Sequence, residues 1–373
     1  MRSIVLSVGL ALLAGCGGGS VHKPPAELTE FKPTATLKIL WQGSVDASGP
    51  NVFYPETSGN MVYAVGAGGG VTGFDAASGK TMTSFDAGQR TSGGVGVGNG
   101  LVLLGTPRGE VLAFDRDGKP LWKTQLTSEV LAAPQAQDGI VVARSGDNRI
   151  YGLDVATGKQ KWVYQRSTPA LSVRTNASLV IRRGAVFVGF PAGRLVALSL
   201  DNGSVGWEGV VALPHGTTEL ERVADITSLP VIDGQQACAA AFQGRVACFD
   251  IARGTLLWAR DVSSVAGIGV DARYLYVTDD KNAVLALDRA SGASIWRQDK
   301  LVGRNVSAPL ALGRHVVVGD LEGYVHLLSR EDGSFAARID TDGSAISAPP
   351  LALDTKSFVV QTRDGGVFAI TVQ

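Results

Sequence analysis

Apolar residues in this chain do not recur at helical spacing. They fall into short runs bounded by Gly, Asn or Asp. "IVVARS", "AVFVGF" and "YLYVTD" are nearly continuous apolar runs, and "RIYGLD", "RLVALS" and "AVLALD" follow them with alternation. Such runs predict short strands, the first kind apolar and the second alternating. With 48 Gly and 15 Pro, the chain has turn residues between nearly all of them.

The pattern repeats. Turn residues precede the inner strands at Gly69, Gly109, Asn148, Gly193, Gly244, Asn282, Gly323 and Gly365. Six places beyond each stand Asp75, Asp115, Asp154, Ser199, Asp250, Asp288, Ser329 and Thr371, all small and polar. A second turn follows with Gly79, Gly118, Gly158, Gly203, Gly254, Gly292 and Gly333. Four places later come Trp122, Trp162, Trp207, Trp258 and Trp296, with Thr83 and Ala337 in the first and last repeats. A period of about forty residues with four strands per unit is that of a β-propeller blade.

Each conserved-looking position of the repeat has a physical task. The carboxylate of Asp154 can accept hydrogen bonds from the turn that follows it. Gly158 can take a positive φ without a Cβ penalty. Trp162 is large enough to fill the wedge between blades and carries one N–H donor for a carbonyl there. There are eight first turns and seven second turns, so the eighth unit lacks its outer strand. "LKILWQGSV" (Leu37 to Val45), with the sixth tryptophan, Trp41, supplies it. The predicted architecture is all-β: an eight-bladed β-propeller of four-stranded antiparallel blades over residues 37–373, closed by its N-terminal strand.

The start of the chain reads differently. In "MRSIVLSVGLALLAGC", Arg2 precedes an apolar run from Ile4 to Ala14, too short to span a bilayer, as in an export signal over residues 1–15. "LAGC" resembles the bacterial lipobox. That resemblance implies a covalent lipid on Cys16, and Gly17 in place of Asp then implies sorting to the outer membrane of a Gram-negative cell, on the periplasmic side. Residues 16–36, rich in Gly, Pro and polar side chains, are expected to form a flexible tether. Cys238 and Cys248 flank a hairpin turn and are either a disulfide or two buried thiols.

Charge and chemistry narrow the function. Lys+Arg and Asp+Glu balance at 34 each with no basic run, so there is no electrostatic footprint for nucleic acid. His22, His215, His315 and His326 do not pair at metal-ligand spacing. "GGVGVGNG" (Gly93 to Gly100) has glycines at dinucleotide-loop spacing, but no helix pattern follows; it reads as strand packing near a crowded axis. No G-x-S-x-G elbow occurs. No catalytic residue, metal or cofactor is expected beyond the lipid.

The spacing of the second-turn glycines is about forty except for two consecutive intervals, 45 (Gly158 to Gly203) and 51 (Gly203 to Gly254). The extra residues fall in "YQRSTPALSVRTNAS" and "VVALPHGTTELERVADITSLP", which join neighbouring blades on one face of the ring. Long loops on a rigid scaffold are where binding residues collect. Leu171, Val173 and Arg174 on the first, and Glu219, Glu221, Arg222 and Asp225 on the second, are the candidate partner-binding residues.

Two resemblances bear on this surface. The repeat "LDVATGKQKW" resembles the tryptophan-docking repeat of quinone-dependent alcohol dehydrogenases, but the chain has no adjacent cysteine pair of the kind that lies over their quinone. Lipobox, tether, eight degenerate repeats, "ALSVR", "HGTTELERVAD" and "VVVGDLEGYVH" together resemble the BamB family, propeller lipoproteins of the outer-membrane β-barrel assembly (BAM) machinery. That likeness implies a noncatalytic scaffold that binds the periplasmic POTRA region of BamA, and through it the rest of the complex, and assists insertion of outer-membrane β-barrel clients. It maps a Leu-x-Leu-Arg element onto Leu171, Val173 and Arg174, and an acidic pair onto Asp225 and Thr227, the latter without its carboxylate. The alternatives are a quinone or polyol-oxidising enzyme and a propeller that binds a periplasmic glycan or peptide. Ring closure has its own test: deletion of residues 37–45 should make the protein unfold or aggregate, and an unchanged thermal melt would reject it.

Overall fold

The computed structural model describes residues 24–373 apart from residues 168, 170 and 175. Among them, thirty-two strands form eight four-stranded antiparallel sheets. Each of the first seven sheets takes its strands in sequence order, so each is one blade. Blade three is Gln135–Gln137, Ile140–Arg144, Ile150–Asp154 and Gln160–Tyr164, from axis to rim. Its two middle strands are covered by neighbouring blades on both faces and are buried almost throughout. In the rim strand only Trp162 is buried.

The eighth blade is Leu351–Ala352, Ser357–Gln361, Gly366–Val372 and, at the rim, Leu37–Ser44. The register runs from Leu37 opposite Val372 to Ser44 opposite Gly366, with a bulge between Ile39 and Trp41. The ring is thus closed by hydrogen bonds between its first and last strands, which removes two free sheet edges.

The turn within each blade follows from its residues. Asp154 Oδ1 accepts from the Thr157 N–H (2.9 Å) and hydroxyl (2.8 Å), and the Gly158 N–H donates to the Asp154 carbonyl (2.8 Å). These bonds favour the charged carboxylate, the Thr157 hydroxyl foremost, and hold Asp154 below the usual range. Gly158 has φ +68°.

This glycine has a second task that its φ does not reveal. A Cβ on it would stand 2.5 Å from the Trp122 ring of the preceding blade. The same contact recurs for Gly79 with Trp41, Gly203 with Trp162, Gly254 with Trp207, Gly292 with Trp258 and Gly333 with Trp296. Every one of the six indoles also donates Nε1–H to the next blade, to the carbonyls of Ala76, Val155, Leu200, Ile251, Arg289 and Arg330 at 2.8–2.9 Å. Each acceptor follows the small polar residue of its turn. One tryptophan therefore packs on a glycine and bonds to a carbonyl of the same turn.

Two interfaces lack the indole. Between blades one and two, Phe85 packs on Gly118, two residues beyond Thr83. Between blades seven and eight stands Ala337. The eighth blade receives its rim strand from the other end of the chain, so it has no second turn for an indole to sit on. In the glycine-rich strand Gly93–Gly98, a Cβ at Gly93, Gly96 or Gly98 would meet backbone carbonyls of residues 130–136 at 1.8–2.8 Å, which is close packing of adjacent blades beside the axis. Cys238 and Cys248 lie directly opposite in blade five, Cα atoms 4.1 Å apart, and form a disulfide.

The tether differs from the expectation. Residues 1–23, with the expected export signal, Cys16 and His22, lie outside the described residues. Residues 26–36 are not a free leash: they run along the outer edge of blade seven (rim strand Phe335–Asp340). Ala26 N–H donates to Val302 O (3.0 Å), and Thr34 and Ala35 donate to Ala336 O (2.9 and 3.2 Å). Arg304 Nη1 and Arg338 Nη1 hold the carbonyls of Ala26 (2.8 Å) and Thr29 (3.2 Å). Phe31 stacks on Phe335 at 5.4 Å, with Arg338 over its ring.

The "GDLEGYVH" stretch is the base of this strap. Asp320 is fully buried and pairs with Arg304 (2.7 Å), which also pairs with Glu322. His326 Nε2 lies 2.9 Å from Asp320, and its Nδ1 accepts from Arg338 (3.1 Å). That arrangement uses the neutral imidazole, and burial holds His326 below its ordinary value. Burial opposes ionisation of Asp320, but the bonds from His326 and Arg304 outweigh it and keep the carboxyl below the usual range.

The indole–glycine contact predicts a paired outcome. Gly158→Ala adds a Cβ both at positive φ and against Trp122, and should cost about 2–4 kcal/mol in denaturant melts. Trp122→Leu alone should also destabilise, but the double variant should lose less than the sum of the two, because the shorter side chain makes room.

Candidate functional site at neighbouring connectors

The two long connectors are residues 165–179, between blades three and four, and 211–230, between blades four and five. They meet through one side chain. Asp225 is buried; its Oδ2 accepts from Val173 N–H (2.7 Å) and its Oδ1 from Ala192 N–H (3.0 Å). Its own carbonyl accepts from Phe242 N–H (2.8 Å). Asp225, an expected contact residue, turns its carboxylate inward and braces the first connector on the second. Two backbone donors beside a short, buried carboxylate make that orientation favourable.

The others face solvent. Leu171 is exposed and Val173 half-buried. Arg174 has 70% of its side chain exposed and approaches Glu129 at 3.5 Å. Arg222 donates Nε–H to Gly216 O (3.1 Å) and lies 3.8 Å from Glu219. Glu221 folds back on its own loop and accepts from the Thr217 N–H (2.8 Å) and hydroxyl (3.0 Å) and the Thr218 N–H (3.0 Å). These bonds, the Thr218 N–H first, hold its carboxyl down at about 2. Glu221 therefore shapes the turn, whereas Glu219 and Arg222 offer charge outward.

Two residues escaped the sequence reading. Leu213 and Leu220 stand out from the second connector, with Leu220 72% exposed. For Leu220 the available signal was a leucine within an otherwise polar stretch, which strand periodicity does not interpret; Leu213 ends an apolar run and gave no such signal.

Two cavities adjoin the connectors. One of about 120 Å³ lies behind Ser172, Val173 and Arg174 and reaches Arg144. The other, of about 400 Å³, opens at the ring axis between Tyr54, Arg174, Asp279 and Asn282. Burial pushes the Tyr54 phenol up to about 12. Among the described residues, no three His, Cys, Asp or Glu side chains are placed to share a metal ion.

The sequence profile described as "Outer membrane protein assembly factor BamB" matches residues 67–298. A protein of that name from Nitrosomonas eutropha is 42% identical, over all of this chain and 95% of its own length. The chain belongs to the BamB family. The crystal structure of BamB from Moraxella catarrhalis superposes with a TM-score of 0.83 at 26% identity, covering 90% of this chain and all of that one. Quinohemoprotein alcohol dehydrogenase from Comamonas testosteroni superposes with a TM-score of 0.72 at 14% identity, over 90% of this chain and 76% of that one. At that identity the likeness is one of fold alone.

The depressed Glu221 carboxyl has a pH consequence. Its contribution to loop order is complete above the ordinary glutamate range and falls away only as pH drops through about 2. Amide protection at Thr217 and Thr218 should persist at pH 3 by hydrogen exchange, whereas Glu221→Gln should weaken it at pH 7 as well.

Proposed function

We propose that this chain is an outer-membrane protein assembly factor that works as a noncatalytic scaffold. A lipid on Cys16 holds it at the periplasmic face of the outer membrane. The two connectors dock on the periplasmic POTRA region of BamA, and through BamA the ring joins the rest of the complex that inserts β-barrel clients. The observation that carries this reading is the pair of long connectors, locked to each other by Asp225 on a rigid ring, with Leu171, Arg174 and Leu220 turned outward.

The chemistry suits a protein partner. Exposed leucines beside an arginine combine apolar area with a planar donor group, the combination that concentrates binding energy at interfaces. The bond from the Val173 N–H to Asp225 fixes part of this surface before docking, which lowers the cost of ordering it. The surface pair of Arg174 with Glu129 contributes little to stability, so Arg174 is available for an external acceptor. The family relationship supports the same reading, since its members carry the name of assembly factors.

Arg174→Glu combined with Leu171→Ala should abolish capture of the BamA periplasmic region while leaving circular dichroism and the melting temperature near those of the parent. Normal capture by that folded variant would reject the assignment of the site.

A further inference from the structure

We propose that the cavity behind the first connector is a socket for a carboxylate side chain carried by the docked partner, with Arg144 at its floor. The inference rests on the docking surface described above and names the chemistry the partner must bring to it.

The starting observation is a buried arginine with no carboxylate in direct contact; Asp225 acts on it only through space. Arg144 is only 6% exposed. Its Nη1 donates to Gly189 O (3.0 Å), its Nη2 donates to Asn148 Oδ1 (2.6 Å), and its guanidinium lies 5.6 Å from the centre of the Phe190 ring. Both acceptors are neutral. Among the described residues no carboxylate lies within 4 Å of it. Arg304, the other deeply buried arginine, has Asp320 at 2.7 Å and Glu322 beside it. A guanidinium has five N–H donors, and a buried charge is costly unless paired. Burial pushes the Arg144 guanidinium down to about 10, and the nearby Asp225 carboxylate offsets that only in part.

The nearest acids are engaged elsewhere. Both oxygens of Asp225 accept backbone N–H bonds from Val173 and Ala192. Glu129 pairs with Arg174 at the rim, and Asp147 takes the hydroxyls of Ser145 and Thr127 and pairs with Arg149. The space in front of Arg144 stays open. Its volume of about 120 Å³ equals about four waters, enough for a carboxylate on one or two methylenes and too small for a cofactor.

Position selects the occupant. The mouth of the cavity is formed by Ser172, Val173 and Arg174, the element proposed to dock BamA. A partner seated on Leu171 and Arg174 covers that mouth and excludes water from it. An acidic side chain entering there meets Arg174 at the rim and Arg144 at the floor, and the attraction strengthens as the site dries.

Three variants test the socket against the immobilised BamA periplasmic region. Arg144→Met removes the charge and keeps a long side chain. Ser172→Glu offers the socket a carboxylate from the chain itself, and Ser172→Gln matches its size without charge. Arg144→Met should bind at least about tenfold more weakly than the parent, and Ser172→Glu more weakly than Ser172→Gln. Neutralising the acidic residues of the captured region one at a time should weaken capture by the parent at one position, with no further loss in Arg144→Met. Equal capture by the parent and a folded Arg144→Met overturns the socket and leaves the docking surface standing. Failure of the parent itself to capture overturns the docking surface. If Arg144→Met does not fold, equal capture by Ser172→Glu and Ser172→Gln overturns the socket. A sulfate-dependent rise in melting temperature that needs Arg144, with capture unaffected, would make it a small-anion site and also overturn the proposal.

Discussion

The indole that packs on a glycine and donates to a carbonyl of the same turn is the contact on which the ring depends. It fixes distance and angle between two blades at once. Dispersion from a large flat ring needs a surface without a Cβ beneath it, and the N–H needs an acceptor one residue past the turn's capping residue. Glycine, capping residue and tryptophan are therefore constrained together. Six of the eight interfaces satisfy this constraint with the same three positions. A repeated joint of this kind makes the blades nearly interchangeable as supports and leaves the connectors on the loop-bearing face free to differ.

That freedom is used at one place. The connectors of residues 165–179 and 211–230 are longer than the rest, and a buried carboxylate joins them. Asp225 does for the loops what the indoles do for the blades: it converts two separate segments into one surface. Arg144 lies beneath the same surface in a contrasting state, with neutral acceptors only. The Asp225 carboxylate takes two N–H donors, whereas the five donors of Arg144 meet two neutral acceptors and feel Asp225 only through space.

Much of the fold was legible because the joint demands particular residue types at fixed spacing. Trp41 stood outside the repeat and so pointed to closure of the ring. Ala337 looked like a degenerate copy, but it marks the interface where the next blade has no second turn. The position of the candidate site was legible as a stretch in the spacing. Its detail was not. A carboxylate in a polar loop reads as solvated, and only the backbone N–H groups of Val173 and Ala192, distant in sequence, turn Asp225 inward. Residues 26–36 read as a leash because their own composition gives no pattern. They are held by Arg304, Arg338 and Phe335, 278 to 309 residues away. Phe31, a lone aromatic in that stretch, was the one local sign.

Closure of the ring also orders events in time. Seven blades are assembled from strands that follow one another directly, so each can form from a short local search. The eighth needs Leu37 to meet Val372, a loop that spans almost the whole chain. Its entropic cost falls when the intervening blades are already packed, because they bring the two ends close together. The ring should therefore be sealed last, and until then the strand Gly366–Val372 carries an open edge. Among the sheets of this protein, the closing blade is the one whose completion reports that all the others are in place.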